Sequence, residues 1–266
     1  MLRSNRVKVW GVVAVASVVY TGFSSAQTPE QKGLAIAQET KRRDLGWGDS
    51  QTTLTMTLKN AAGQISQREI RTKTLEVNND GDKSLNIFDH PRDVKGTAFL
   101  SFSHPVGADD QWLYLPALKR VKRIASRNKS GPFMGSEFAY EDLASFEVEK
   151  YTYKFLREEP CQAGTCFVIE QDPVDKYSGY TRQINWIDTQ EYRSWKVEYY
   201  DRKNSLLKTL TVVDYKQYLD KYWRATGMVM VNHQSKKTTE LSWGDYRFRT
   251  GLTESDFNKN TLKRAK

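Results

Sequence analysis

Residues 110–143 read DQWLYLPALKRVKRIASRNKSGPFMGSEFAYEDL. Trp112, Leu113, Tyr114 and Leu115 alternate as a strand does, and Lys119, Arg120, Val121, Lys122 and Arg123 form a second, basic strand. A Gly/Ser/Pro loop follows. Gly131 and Gly135 flank Pro132 there and relax the backbone enough for a hinge. Tyr140-Glu141-Asp142-Leu143 then opens a short acidic-aromatic helix, expected near residues 139–146. Nothing in the stretch has the form of a nucleophile, a metal cage or a phosphate loop. It reads as the wall and rim of a cavity.

The period-two pattern continues in both directions. Leu54, Met56 and Leu58 alternate with Thr53, Thr55 and Thr57, giving a half-buried strand with one apolar face. Asn60-Ala61-Ala62-Gly63 turns the chain into a second strand, and Asn78-Asn79-Asp80-Gly81-Asp82 turns it into a third, with Leu85 and Ile87 on one face. Further strands are expected at 97–103, 111–115, 120–125, 148–155, 166–171, 181–188, 194–200, 206–215, 223–233 and 237–248. A stretch from Pro29 to Arg43 reads as an amphipathic helix stopped by Gly46 and Gly48, and Thr253 to Phe257 has capping-box spacing.

Successive strands with short turns make a meander. The expected fold is mainly β: an incomplete antiparallel β-barrel of about eleven strands, curled to hide its edges and its apolar face. The helices near 29–43 and 139–146 are placed to cover the opening over a hydrophobic cavity. No boundary rich in Gly or Pro divides the chain and no repeat has a fixed period, so residues 27–266 are expected to form a single domain.

The first residues read as an export signal. Arg3, Arg6 and Lys8 precede an apolar run over residues 9–23, and Ser24-Ser25-Ala26 offers a cleavage site near Ala26. The run is about fifteen residues long, against the roughly twenty that a spanning helix needs. A signal peptide over residues 1–26 places the mature protein outside the cytoplasm. That part retains 38 Lys and Arg against 32 Asp and Glu, a net charge of +6. Such a balance either favours transient contact with anionic membrane surfaces or merely keeps the protein dissolved, and it is too evenly mixed for a nucleic-acid binder.

Cys161 and Cys166 are separated by Gln162, Ala163, Gly164 and Thr165. No nearby His or Cys completes a four-ligand metal site, and a thioredoxin-like motif has two intervening residues. In an oxidising compartment the pair reads as a structural disulfide at a hairpin tip. No metal and no cofactor are expected. Nor is catalysis: G-x-S-x-G, H-E-x-x-H and G-x-x-x-x-G-K-[ST] are all absent, and His90, His104 and His233 are widely spaced. The Asp109-Asp110 pair reads as a turn.

Trp112-Leu113-Tyr114-Leu115-Pro116, Arg120, Arg123, and Gly135-Ser136-Glu137-Phe138 leading into Tyr140-Glu141-Asp142-Leu143 together resemble the LolA-like outer-membrane lipoprotein-sorting family. The resemblance covers nearly all of the mature chain. It is nearest to the larger periplasmic branch associated with resistance-nodulation-division type exporters. It implies a LolA/LolB-like unclosed barrel that carries a lipid or lipoprotein acyl chain between inner and outer membranes, with such an exporter as partner. The alternative is an envelope sensor of lipids or lipoproteins that signals to a membrane partner.

Candidate cavity residues are Leu54, Met56, Leu58, Trp112, Tyr114, Phe138, Tyr153, Trp186 and Trp195, which stand mostly at alternate strand positions. Any one of them could be ordinary core; the expectation concerns the set. The basic run over residues 119–129 has two readings, a rim that meets anionic partners or an edge strand protected by charge. In the first, Lys119, Arg120 and Arg123 form a rim, with Glu137, Glu141 or Asp142 of the lid as ion-pair partners.

Overall fold

The computed structural model describes residues 27–264, so the export segment expected at residues 1–26 lies outside the described residues. Thr28 caps α1 (Pro29–Arg43) with a capping box to Gln31, and Lys41, Arg42 and Arg43 end it where the helix dipole favours positive charge. Fourteen strands follow: β1 (Asp49–Lys59), β2 (Ile65–Leu75), β3 (Lys83–His90), β4 (Ala98–Phe102), β5 (Asp110–Leu115), β6 (Arg120–Ile124) and β7 (Tyr151–Cys161), then β8 (Gly164–Pro173), β9 (Tyr180–Asp188), β10 (Ser194–Asp201), β11 (Leu206–Tyr218), β12 (Tyr222–Asn232), β13 (Thr238–Trp243) and β14 (Arg247–Phe248). The count exceeds the expected eleven or so, and also the thirteen stretches that alternation marks out. The last expected strand breaks at residues 244–246, and both its pieces, β13 and β14, pair with β1 at different points.

All neighbours in the sheet are antiparallel. Their order is β6-β5-β4-β3-β2-β1-β13-β12-β11-β10-β9-β8-β7, with β14 alongside β1. Each neighbour pair on this path is consecutive in the chain except β1 with β13, which align from Leu54 opposite Trp243 to Lys59 opposite Thr238. That pairing joins two meanders into one sheet and leaves β6 and β7 as its edges. Residues 125–150, which connect those edges, run across one face of the sheet.

The cross-strand register decides which residues share that inner face. Leu54, Ile70 and Phe88 stand in one row, and Met56, Leu241 and Met228 in another. These residues belong to one packed cluster that also takes Ile124 from β6 and Tyr180 from β9. Side chains from strands so far apart in the order meet only if the sheet curls around them. Phe133 and Phe138 of the connecting segment fill the centre, and Phe133 packs 5.1 Å from the Phe99 ring and 5.9 Å from Phe88. Burying each such ring contributes about 1.5–3 kcal/mol.

On the same face, α1 lies over β7 to β9, where Ile36 and Ala37 pack with Tyr153, Ile169 and Ile187. Gly33 permits the close approach: a Cβ there would stand 2.8 Å from the backbone nitrogen of Phe155. The opposite, outer face is covered in part by the C-terminal residues. Phe257 and Leu262 pack on Leu85, Ile87, Ala98 and Leu100, so β4 is buried on both sides.

The expected helix near 139–146 is only a 3₁₀ turn, Tyr140–Leu143. The physical reason is that its polar groups are spent on the sheet. Asp142 meets Lys208 of β11 at 2.6 Å, with side chains 5% and 4% exposed. Its carboxylate also accepts from the Tyr180 hydroxyl at 2.8 Å and from the Ala139 amide at 2.7 Å. Lys208 donates further to the Glu137 carbonyl at 2.8 Å. Gln111 donates to the Tyr140 carbonyl at 3.0 Å, and Arg68 donates to the Met134 carbonyl. The expected hinge around Pro132 is likewise tied into a loop. Phe133 N–H donates to the Phe138 carbonyl at 2.7 Å, and Tyr140 N–H to Gly131 at 3.1 Å.

A buried pair of this kind is costly to break from one side. Lys208→Met or Asp142→Asn should each lose about 3–5 kcal/mol of unfolding free energy, because one charge is left buried without its partner. Arg123→Ala, which removes the exposed pair with Asp110, should cost under about 1 kcal/mol. Urea titrations of the three variants make the comparison. Equal small losses would show that Lys208 does not pin the connecting segment.

Candidate functional site

The inner face is not filled. A chamber of about 710 Å³ lies beneath the C-terminal turn of α1, within the range of about 300–1,000 Å³ usual for small-molecule sites. Phe146, Tyr151, Ile187 and Val197 give it apolar walls, and Gln171, Gln183 and Asn185 set amides among them. Those amides are held in place: Asn185 donates to Gln171 at 2.9 Å and accepts from the Ser194 hydroxyl at 2.6 Å. A second chamber of about 260 Å³ lies between the connecting segment and β1, β2 and β13, lined by Leu54, Met56, Ile70, Leu241 and Trp243. Asp82 and Ser145 line both.

Charges at the mouth of the larger chamber are paired. Lys41 meets the buried Glu147 at 3.0 Å, Arg193 meets Asp188 at 2.9 Å and Arg224 meets Asp44 at 2.6 Å. The Arg193 guanidinium also stands 4.4 Å from the Trp223 ring centroid, a cation–π contact. Asp82, deeper in the chamber, has no such partner among the described residues. Its carboxylate accepts no hydrogen bond among the described residues, and burial pushes its pKa from the ordinary carboxylate value up to about 6; Lys41 opposes the shift and Glu147 adds to it. Burial, and then the Asp142 carboxylate, raise the Tyr180 and Tyr199 phenols well above their usual range, so both stay protonated, and Tyr180 donates to Asp142.

The sequence-derived candidates divide between the two faces. Leu54, Met56 and Leu58 stand on the inner face of β1, Phe138 packs with them, and Tyr153 lies under α1. Trp112 and Tyr114 do not line a chamber. They stand on the outer face, packed with the cluster that holds Phe257 and Leu262, and Trp112 meets Phe102 edge-on at 5.2 Å. Trp186 also alternates away from Ile187 of the inner face and joins Trp195, Cys166 and Val168 in a separate cluster. Alternation separates the two sets of a strand; it does not say which set faces inward.

The expected rim-and-lid ion pairs are corrected for Lys119, Arg120 and Arg123; of the basic run only Lys129 comes within ion-pair reach of a lid acid, 4.0 Å from Glu141. Glu141 accepts from the Ser178 hydroxyl and the Gly179 amide, each at 2.8 Å, and Asp142 is taken by Lys208. Glu137 accepts from Asn232 at 2.7 Å. Arg123 pairs instead with Asp110 at 2.5 Å, while Lys119 and Arg120 are exposed. The acids had nearer partners across the sheet than on β6. Cys161 and Cys166 are bonded to each other across the β7–β8 hairpin. His104 faces Asp80 at 2.9 Å and His233 faces Thr209 at 2.8 Å, far apart in the sheet.

Sequence reasoning passed over Lys208, Asp82, Gln111 and the amides of β8 and β9. Lys208 left a readable signal, since it shares strand parity with Leu210 and Val212. Asp82 left none, because it stood in a turn rich in polar residues.

A family model described as "Uncharacterized protein" matches residues 80–264. Among curated proteins none matches the chain. Solved structures do. A Vibrio parahaemolyticus outer membrane lipoprotein-sorting protein domain is 66% identical, with a TM-score of 0.87 over 88% of this chain and 100% of its own. A DUF1329 family protein from Desulfovibrio piger is 28% identical, with a TM-score of 0.83 over 88% of this chain and 99% of its own. A LolA superfamily protein from Nitrosomonas europaea shares the fold at 20% identity, with a TM-score of 0.68 over 86% and 98% of the two chains.

Asp82 makes stability depend on pH. Its folded pKa of about 6 exceeds the ordinary 3.8, so the folded state holds the proton more tightly. The stability from that proton is fully present below about pH 4, falls as pH rises, and is lost above about pH 6. Asp82→Asn should therefore be more stable than the natural chain at pH 7, by up to ~2 kcal/mol, and no more stable at pH 4. Urea midpoints at the two pH values test this; a variant equally or less stable at pH 7 would refute it.

Proposed function

Because the chain belongs to the LolA-like outer-membrane lipoprotein-sorting family, we propose that it is a periplasmic carrier which holds a lipid or lipoprotein acyl chain against its inner face. It moves that cargo between the inner and outer membranes and receives it from a resistance-nodulation-division type exporter. Residues 27–266 act as one binding unit, released from an export segment at residues 1–26. It is not an enzyme; its work is transfer without chemical change.

The observation that carries this reading is the pair of adjoining inner chambers, one of about 710 Å³ and one of about 260 Å³. An acyl chain fits such a space with the right energetics. Burying each CH₂ contributes about 0.8 kcal/mol, and a long chain gains on the order of 10 kcal/mol before the costs of ordering it. Leu54, Met56, Ile70 and Leu241 supply the apolar wall for the tail, and Gln171, Gln183 and Asn185 supply amides for the polar end of an ester or amide linkage. Leu58, Phe138 and Tyr153 belong to the apolar clusters packed behind these walls. The connecting segment is the element that cargo must displace.

The purified protein should take up a fluorescent long-chain lipid analogue saturably, in about a one-to-one ratio. Val197→Trp, which thickens a wall of the larger chamber, should weaken uptake at least about tenfold while the far-ultraviolet β spectrum stays in place. Natural protein without saturable uptake would overturn the carrier reading.

A further inference from the structure

Strand direction sorts the turns of this sheet by end. Six turns, at residues 60–64, 91–97, 116–119, 174–179, 202–205 and 233–237, lie at the end where β1 finishes. Six others, at 76–82, 103–109, 162–163, 189–193, 219–221 and 244–246, follow strands that run the other way, although the curl of the sheet brings 103–109 round beside 174–179, the two lining one depression. The charges divide with them. The first set holds eight lysines and arginines against two aspartates, and the second holds seven acids against two lysines and arginines.

The two ends differ further in how their charges are satisfied. All eight cations of the first set are exposed, and none forms an ion pair among the described residues. One of its two aspartates, Asp175, is neutralised by Lys129 at 2.7 Å. At the opposite end the acids are largely engaged: Asp80 by His104, Asp109 by Lys150, Glu191 by Arg43 and Asp245 by Lys216. Only the basic end therefore presents a field of free charge. It also carries exposed apolar tips, with Ile65 68%, Leu118 63%, Val174 60% and Tyr177 40% exposed. Lys119 follows Leu118, and Lys176 precedes Tyr177.

We infer that this end of the sheet docks the protein on an anionic lipid bilayer. Lysines and arginines held near a negative bilayer surface are attracted individually and release together as salt screens them. The apolar tips between them reach the headgroup boundary, where amphipathic contacts add to the charge term. The acids of the other turns are largely paired and offer the surface no comparable attraction, so the contact fixes an orientation as well as an attachment. In that orientation a depression of about 920 Å³ beside the connecting segment, lined by Glu137, Phe138, Lys203 and Lys237, lies towards the bilayer. The docking does not depend on the inner chambers, so its failure and that of the carrier reading are separately visible.

The test is co-sedimentation of the natural chain with vesicles of phosphatidylethanolamine and phosphatidylglycerol, and with vesicles of phosphatidylcholine alone. Binding is expected to the first and not the second, and to be lost at ~0.5 M salt. One variant reverses Arg202, Lys203, Lys236 and Lys237 to glutamate. A second reverses four exposed bases outside these turns, Lys154, Arg247, Lys263 and Arg264, for the same change in net charge. The first should lose at least about tenfold in vesicle binding and the second should keep most of it. Thermal unfolding confirms that both are folded. Equal losses would reduce the effect to net charge and overturn the assignment of an end. No binding by the natural chain, or equal binding to phosphatidylcholine, overturns it outright and leaves the basic end to an acidic protein partner.

Discussion

The pairing of β1 with β13 is the constraint on which the rest depends. Every other ladder on the path joins strands adjacent in the chain, and local turns suffice to form it. This one aligns residues 54–59 with residues 238–243. The entropy of closing so long a loop rises only slowly with its length, so a six-residue ladder with a packed face can hold it. Its effect is to place the natural break of the sheet between β6 and β7. The chain must then cross between two edges, and the inner face is the surface that it crosses.

That crossing explains the unusual chemistry at the centre. A segment of short 3₁₀ turns has few backbone bonds of its own, and its polar groups must be met by the wall or remain unsatisfied. Lys208, Asp142, Tyr180, Gln111 and Arg68 meet them, with Phe133 and Phe138 filling the space between. A buried ion pair adds little to stability beyond what a well-packed apolar pair would give, but it has one good geometry. It fixes where the segment sits. The two chambers are the volume left on either side of a segment so placed.

Much of the wall was legible from alternation alone. Leu54, Met56 and Leu58, the turn at Asn60 and the Cys161–Cys166 hairpin are local features, and local rules found them. What alternation could not give was the sign of a face. In β4 both faces are buried and in β5 the outer one is partly covered, because Phe257 and Leu262 return from the far end of the chain to pack there. Trp112 and Leu113 therefore look alike in the sequence though they point apart. The ion pairs failed for the same reason: Glu141 and Asp142 were matched with the nearest bases in sequence, while their partners stand on β9 and β11 and in the β8–β9 turn. The charge division between the ends was invisible too, since it alternates along the chain and gathers only when the strands align.

Thirteen strands lie on the path from one edge to the other, and with every neighbour antiparallel the first and last run in the same direction. An odd number closes into a ring only through one parallel seam, and β6 and β7 do not form it, which leaves a slit between them. A closed hoop has a fixed circumference and widens only by breaking ladder bonds. A split ring widens by relaxing its curvature. The bore of this protein is thus governed by how tightly its wall is rolled, and what rolls it is the segment that its own slit obliges the chain to lay inside.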